Sequence, residues 1–413
     1  MGKLIQVTDF LIYWLVILLP FSMAIAPAPM NVFMGLLLAS FLVNKIAKKQ
    51  WRLFSTGINL PLLVFFLVTC LSLVNSISLK DSMRGGVLRL LQYIFILFAL
   101  AEGVRDLKHM RRILFAVSCG LALSSIDAIW QVFSGHDFIR GYGPVINLGL
   151  VRATASFKDS NTFGIYLSAL AGLPLAMAIF CKNGPRRIFY ILLSGLAIVG
   201  IALTYSRPTL LALYVILWFF AVIGKKRGLL FVLIVFTLSS WFLLPRAVKD
   251  WAKEVNYNPV RFMCNDDRIA IYRNSLNMIR HHPVIGVGAN TFMRNYQTYK
   301  ESPEYMNIVT LDYMYAHNNF LHMAGEIGLA GLAVFIWLIY AYFVSAWKTY
   351  KSINDGSLKI FSLALIACLA AFLINGLTES SLYSSRVALI FWYLAGFSLG
   401  LKRLVDERSS LKA

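Results

Sequence analysis

Apolar runs of bilayer-spanning length follow one another from one end of this chain to the other. A helix needs about 20 apolar residues to cross the hydrocarbon core of a membrane. The chain offers about twelve such runs, at residues 10–26, 32–46, 60–77, 87–101, 113–133, 162–181, 188–205, 209–223, 229–244, 321–346, 360–377 and 387–401. Little sequence is left for a water-soluble body. The hydrophobic content of 59% exceeds the about 45–50% usual for soluble domains, and the mean hydropathy is +0.69. The expected fold is an all-α polytopic membrane protein of about twelve transmembrane helices. The first run is long and is followed at once by a second, so it reads as a first span rather than a cleaved signal peptide.

The formal net charge of +20 would point to nucleic acid in a soluble protein. Here the positive charge has a topological explanation, because basic residues crowd every second connection. They are Lys45, Lys48, Lys49 and Arg52, then Arg105, Lys108, Arg111 and Arg112, then Lys182, Arg186 and Arg187. Lys225, Lys226 and Arg227 follow, then Lys348 and Lys351, then Lys402 and Arg403. By the positive-inside rule that side is cytoplasmic and both termini lie there. The expected organisation is nine spans over 1–244, an external helical subdomain over 245–315, and three further spans with a cytoplasmic tail over 316–413.

Two long connections fall on the outer face, about 134–161 and 245–315. In the second, residues 266–280 carry helix-like spacing of Ile269, Tyr272, Leu276 and Ile279. A proline- and glycine-rich turn follows at 282–290. Tyr296, Tyr299, Tyr305, Tyr313 and Tyr315 come next, and read as an aromatic belt at the membrane interface. Of the five cysteines, Cys70, Cys119 and Cys368 lie in apolar runs, Cys181 at the end of one, and Cys264 alone in the large loop. They form no C-x-x-C pair and give no disulfide framework. No cofactor or metal is expected.

Polar residues concentrate toward the outer ends of the runs. Arg89, Asp127, Arg207, Glu379 and Arg386 lie there, with Glu326 deeper. Charges in such places are costly, so they are paired, solvated by a cavity, or functional. Their asymmetry predicts a polar cavity open to the outer leaflet. Arg207 precedes Pro208 at a tight junction between two runs. Proline suits the first position of a helix, whose positive end would favour an anion such as phosphate beside the guanidinium. The alternative is an arginine that snorkels to lipid phosphates or pairs with Asp127 or Glu379. Spacing alone does not separate Arg268 from Arg261, Arg273 or Arg280. The stretch from His317 to Gly331 sets an imidazole at the mouth of a run, where it is either a cap or a functional group. Behind it Ala324, Gly328 and Gly331 would let a neighbouring helix approach closely. His281 with His282, and His317 with His322, are wrongly spaced around a helix to share a metal ion. Asp266 and Asp267 read as helix-start residues.

Three stretches together resemble the O-antigen ligase and polymerase superfamily. They are Ser-Arg207 at a run junction, Asp-Arg268-x-x-x-Tyr272 with His-Pro-Val-Ile-Gly-Val-Gly in the large loop, and His317-Asn-x9-Gly328-x-x-Gly331. The segment Lys158-Asp-Ser-Asn161-Thr-Phe-Gly164 is similar to the family's Asp-x-Asn-x-Phe-Gly stretch. Pro208 departs from the expected glycine, and Tyr272 stands where tryptophan is common. The resemblance implies a GT-C-like membrane glycosyltransferase that takes a glycan from undecaprenyl diphosphate in the outer leaflet. The ligase reading, with lipid A-core as acceptor, fits the length and the single dominant loop best. A polymerase that extends the glycan is the first alternative, and a lipid-linked glycan transporter is another. The resemblance further implies His317 as general base or orienter, Arg207 and Arg268 as diphosphate ligands, and direct, inverting attack without a metal. Asn318, Lys158, Asn161 and Arg89 are possible supporting residues.

Overall fold

Continuous apolar sequence folds here into helices stacked side by side. The structure, a computed structural model, describes residues 1–147, 149–244, 246–264, 266–300 and 314–410. Tyr305 and Tyr313 of the expected aromatic belt lie outside the described residues. Helices α1 (Gly2–Ile25), α2 (Pro27–Ala47), α3 (Asn59–Leu71), α4 (Leu79–Gly103) and α5 (Leu107–Ser134) come first. A two-stranded antiparallel hairpin, Val145–Asn147 with Leu150–Arg152, interrupts the helical pattern. Then come α6 (Ser160–Phe180), α7 (Gly184–Leu203), α8 (Arg207–Ile223) and α9 (Arg227–Leu243). The large connection holds α10 (Arg246–Glu254), α11 (Pro259–Met263), α12 (Asp266–His281) and α13 (Phe292–Asn295). The chain closes with α14 (Asn319–Ser352), α15 (Gly356–Asn375) and α16 (Ser385–Ser410).

Among the described residues nine helices are long and apolar enough to cross a membrane. Three shorter apolar helices, at α3, α8 and α9, occupy the places of the other expected spans. Helices α6 and α16 are the most deeply packed, α16 against α4 and α6 against α7 and α15. Buried polar contacts fix the helices near one end. Thr209 on α8 donates to the Asn375 side-chain oxygen on α15 at 3.0 Å, and Asn375 donates to Ser168 on α6 at 3.0 Å. Interhelical hydrogen bonds of this kind hold bundles together where lipid supplies no hydrophobic drive. Arg386 at the start of α16 is structural. It is 5% exposed and donates to the carbonyls of Met23, Ala24 and Ser156.

The His-Pro-Val-Ile-Gly-Val-Gly turn and the glycines after His317 explain each other. Gly328 breaks α14 with φ of 73°. The turn segment lies in the break: Val287 N donates to Gly325 O at 2.9 Å, Gly288 N to Glu326 O at 2.9 Å, and Leu329 N to Pro283 O at 2.8 Å. Backbone groups freed by the kink are thus satisfied by protein, as irregular backbone near a membrane requires. This corrects the expectation of close helix packing: what approaches Gly328 is the turn segment, with a Cβ there falling 2.0 Å from Val284 O. The same segment is held on its far side by the turn that follows α3 and by α4, where Asn75 donates to Gly286 O and Ser82 to Ala289 O.

Helix α12 spans the expected residues, and its buried surface extends beyond the apolar stripe that marked it. Ile271, Asn274, Ser275 and Met278 are buried, whereas Leu276 is 44% exposed. The polar members of this surface are satisfied, with Asn274 donating to Tyr296 Oη at 2.8 Å and Ser275 to Ile271 O. Of the spaced residues Ile279 is buried and Tyr272 reaches His317, so the spacing marked the helix but only part of its buried surface.

Gly328→Ala is expected to destabilise the fold strongly, because the added methyl meets backbone in a left-handed conformation that costs roughly 1–3 kcal/mol for a non-glycine residue even in open space. Gly35→Ala on α2, with open space around it, is the control. Thermal melting of the two variants in detergent should show a lower midpoint for Gly328→Ala alone.

Candidate active site

Each element brings its site residue to the same end of the bundle, opposite the basic connections. Asn161 opens α6, Arg207 opens α8, His317 sits before the cap of α14, and Glu379 lies in the connection from α15 to α16. The sequence His317-Asn-Asn319 works as a three-point clamp on that connection. His317 Nδ1 lies 3.1 Å from Glu379 Oε2. Asn318 donates to Leu377 O at 2.8 Å while its side-chain oxygen caps α14 through Phe320 N and Leu321 N. Asn319 donates to Ser381 Oγ at 2.8 Å and accepts from Leu382 N. Asn318 is therefore a cap and a tether, and it supports His317 only through the backbone.

Glu379 is the hub. Its side chain is 13% exposed and pairs with Arg268 of α12 as well as His317. Asn161 donates to Glu379 Oε1 at 2.8 Å, and Arg152 of the hairpin donates to Asn161 Oδ1 at 2.7 Å. Burial raises the Glu379 carboxyl, but the hydrogen bond from His317 and the charges of Arg268 and His317 outweigh it and hold the group below its ordinary value. An ionised carboxylate accepts hydrogen bonds and donates none, so a neutral His317 ring must carry its hydrogen on Nδ1. Nε2 is left with its lone pair and no partner among the described residues.

Backbone contacts fix His317 further. Its φ of 47° is left-handed, a conformation that costs a non-glycine residue about 1–2 kcal/mol. Tyr272 Oη donates to His317 O at 3.1 Å, which holds that turn. Burial and the neighbouring Cys264 push the Tyr272 hydroxyl up from its ordinary value, so it stays a donor.

Arg207, Arg268 and Arg152 lie close enough for their charges to interact. Burial lowers the Arg152 guanidinium; Asp159 and Glu379 oppose this, and Arg268 adds to it. Arg207 does not pair with Asp127 or Glu379, the partners considered from sequence. It donates to Phe262 O and lies beside the rings of Phe262 and Trp251, at 5.5 and 5.9 Å. Asp127 instead accepts from Phe138 N at 2.8 Å. Helix α8 begins at Arg207 itself, one residue before the proline expected to start it.

A cavity of about 510 Å³ opens beside the cluster, lined by Arg89, Asn161, Tyr315, His317, Glu379 and Tyr383 among others. Arg89 and Asn161 thus join the site. Lys158 does not line the cavity; its amine lies 5.9 Å from the Tyr142 ring centre. Of the residues not singled out from sequence as site candidates, Glu379 and Arg152 carry most of the geometry. Glu379 had appeared only as one outer charge among several. Its signal was a carboxylate in a short outer connection of a chain with 19 acidic residues against 39 basic ones.

Residues 192–336 match the family model described as O-antigen ligase. That stretch, about a third of the chain, is similar to the O-antigen ligase family. No curated protein matches the chain. The matched stretch of the O-antigen ligase family holds Arg207, Arg268, His317 and Asn318, whereas Arg89, Arg152, Asn161 and Glu379 complete the site from outside it. The family implies a glycosyltransferase-like membrane enzyme whose substrate is a lipid-linked glycan. A cavity with an imidazole, a carboxylate and three neighbouring arginines can hold an anionic group and take up a proton beside it.

Because Glu379 ionises more readily folded than unfolded, its contacts stabilise the fold at neutral pH. That contribution is lost as pH falls through the depressed pKa. Thermal midpoints measured from about pH 7 to about pH 3 should fall for the native chain and fall less for Glu379→Gln. Glu379→Ala, which breaks a largely buried ion pair with Arg268, should cost about 3–5 kcal/mol at neutral pH.

Proposed function

We propose that the chain is the ligase that transfers O-antigen glycan from undecaprenyl diphosphate to lipid A-core at the periplasmic face of the inner membrane. The observation that carries this reading is the Glu379-anchored cluster: His317, Glu379, Asn161 and Arg89 line one cavity, and Arg268 and Arg152 are bound to Glu379 and Asn161 behind its wall, with Arg207 nearby. The alternation of basic connections supports the orientation, with both termini cytoplasmic and the cavity periplasmic. The division into helices over 1–244, a periplasmic helical subdomain over 245–315 and helices over 316–413 is part of the same proposal.

In this mechanism an acceptor hydroxyl of lipid A-core attacks the anomeric carbon of the lipid-linked sugar. The new oxygen–carbon bond forms as the bond from that carbon to the diphosphate oxygen breaks, with inversion. His317 Nε2 takes the hydroxyl proton, and Glu379 stabilises the resulting imidazolium through Nδ1. Arg207 and Arg268 hold the diphosphate, whose charge grows as the bond breaks, so fixed positive charge lowers the barrier. Arg207 stands at the first position of α8, and the helix's positive end adds to its effect. Arg268 does double duty, because its pair with Glu379 also fixes the base. Asn161 and Arg152 support Glu379, and Arg89 lines the cavity wall.

Purified protein supplied with undecaprenyl-diphosphate glycan and lipid A-core distinguishes the possible reactions. Transfer to lipid A-core is expected. Glycan lengthening alone would make it a polymerase, and movement of the lipid-linked glycan without transfer a transporter. His317→Ala, Arg207→Ala and Arg268→Ala should each lower transfer by about 10²–10⁴-fold with normal membrane insertion. Transfer should survive a chelator; loss on chelation with recovery on adding a divalent ion would replace the arginines by a metal in this mechanism.

A further inference from the structure

A second cavity, of about 700 Å³, lies at the opposite, basic end of the bundle. The ends of α5, α6, α7, α8, α14 and α15 surround it. Arg111, Lys182, Arg186, Lys226 and Lys359 line it, brought together from four separate stretches of the chain. Among the described residues none of the five has a carboxylate partner. Asp355 is the one acidic residue on the lining, and its carboxylate is taken up by the N-terminus of α15, accepting from Ser357 N and Leu358 N at 2.8 and 3.0 Å.

The floor of the same cavity is apolar. Met177 and Phe180 come from α6, and Phe361 and Leu363 from α15. The positive-inside rule accounts for cations in these connections one by one. It does not account for their convergence on one recess with a hydrocarbon floor. Cations at the helix ends above an apolar recess match a molecule with an anionic head and an apolar tail, set at the depth of the lipid headgroups.

We infer that this cavity binds the phosphate headgroup of an anionic membrane lipid, with an acyl chain against α6 and α15. Lys226 and Lys359 are already steadied for this, with their amines 5.4 Å from the Phe180 ring and 5.2 Å from the Tyr350 ring. Lys182, Arg186 and Lys226 are exposed, so their replacement leaves the core untouched. The site is separate from the glycan-transfer cavity and does not depend on the reaction proposed for it.

The test is native mass spectrometry of the full chain in mild detergent, titrated with phosphatidylglycerol, phosphatidylcholine or inorganic phosphate. The native chain is expected to retain phosphatidylglycerol in preference to phosphatidylcholine, without displacement by inorganic phosphate. The triple variant Lys182→Ser, Arg186→Ser, Lys226→Ser should lose about a hundredfold in affinity, since each headgroup-level cation is worth about a factor of five. A charge-matched control, Lys3→Ser, Lys49→Ser, Lys348→Ser, removes exposed cations at the same end but outside the cavity, and should bind as the native chain does. Equal loss in both variants would reduce the effect to general surface charge and overturn the inference. Equal retention of phosphatidylcholine, or full displacement by inorganic phosphate, would overturn it as well.

Discussion

A carboxylate placed almost out of water at the end of a membrane bundle must be compensated, and Glu379 is met from three directions by one cation and two hydrogen-bond donors. Arg268 reaches it from the large loop, His317 from the mouth of α14 and Asn161 from the start of α6. Leaving such a charge unpaired costs several kcal/mol, so the three elements are bound to meet there. The positions of the imidazole and of Arg268 follow from this one requirement. So does the hydrogen on Nδ1, since an ionised carboxylate only accepts.

The membrane helices were legible in the sequence because the bilayer sets their length, and each expected apolar run has a helix at its place. The mouth of α14 and the junction before α8 were legible too, as was Asn161, because their residues stand in recognisable local patterns. Glu379 and Arg152 were not. Glu379 meets His317 across 62 positions and Asn161 across 218, and no local pattern encodes such contacts. Helix α12 was placed correctly, but the polar part of its buried surface, Asn274 and Ser275, was not legible, because spacing does not reveal their partners. Lys158 stood in a familiar stretch beside Asn161, yet its side chain rests on Tyr142 while its neighbour points into the site.

The two ends of the bundle handle positive charge in contrasting ways. At the Glu379 end a few acids organise several arginines, each aimed by hydrogen bonds to carbonyls or carboxylates. Toward the other end some cations are tied to Asp9 and Glu102, through Lys48 and Lys45, and others surround a recess without acidic partners. A field arranged in this way favours anions at both ends while keeping their sites apart.

The break in α14 has a bearing on how such chains diverge. The turn at 283–288 shares backbone hydrogen bonds with both sides of Gly328 and packs against the turn that follows α3 and against α4 through Asn75, Ser72 and Ser82. The large loop is therefore stitched into the membrane helices by main-chain pairing that depends on Gly328 and on the side chains of Ser72, Asn75 and Ser82. Its exposed helices are free to drift in sequence, whereas the turn and the kinked helix form one heritable unit. A chimera that exchanges the loop between relatives keeps its architecture only if 283–288 and the first turns of α14 travel together.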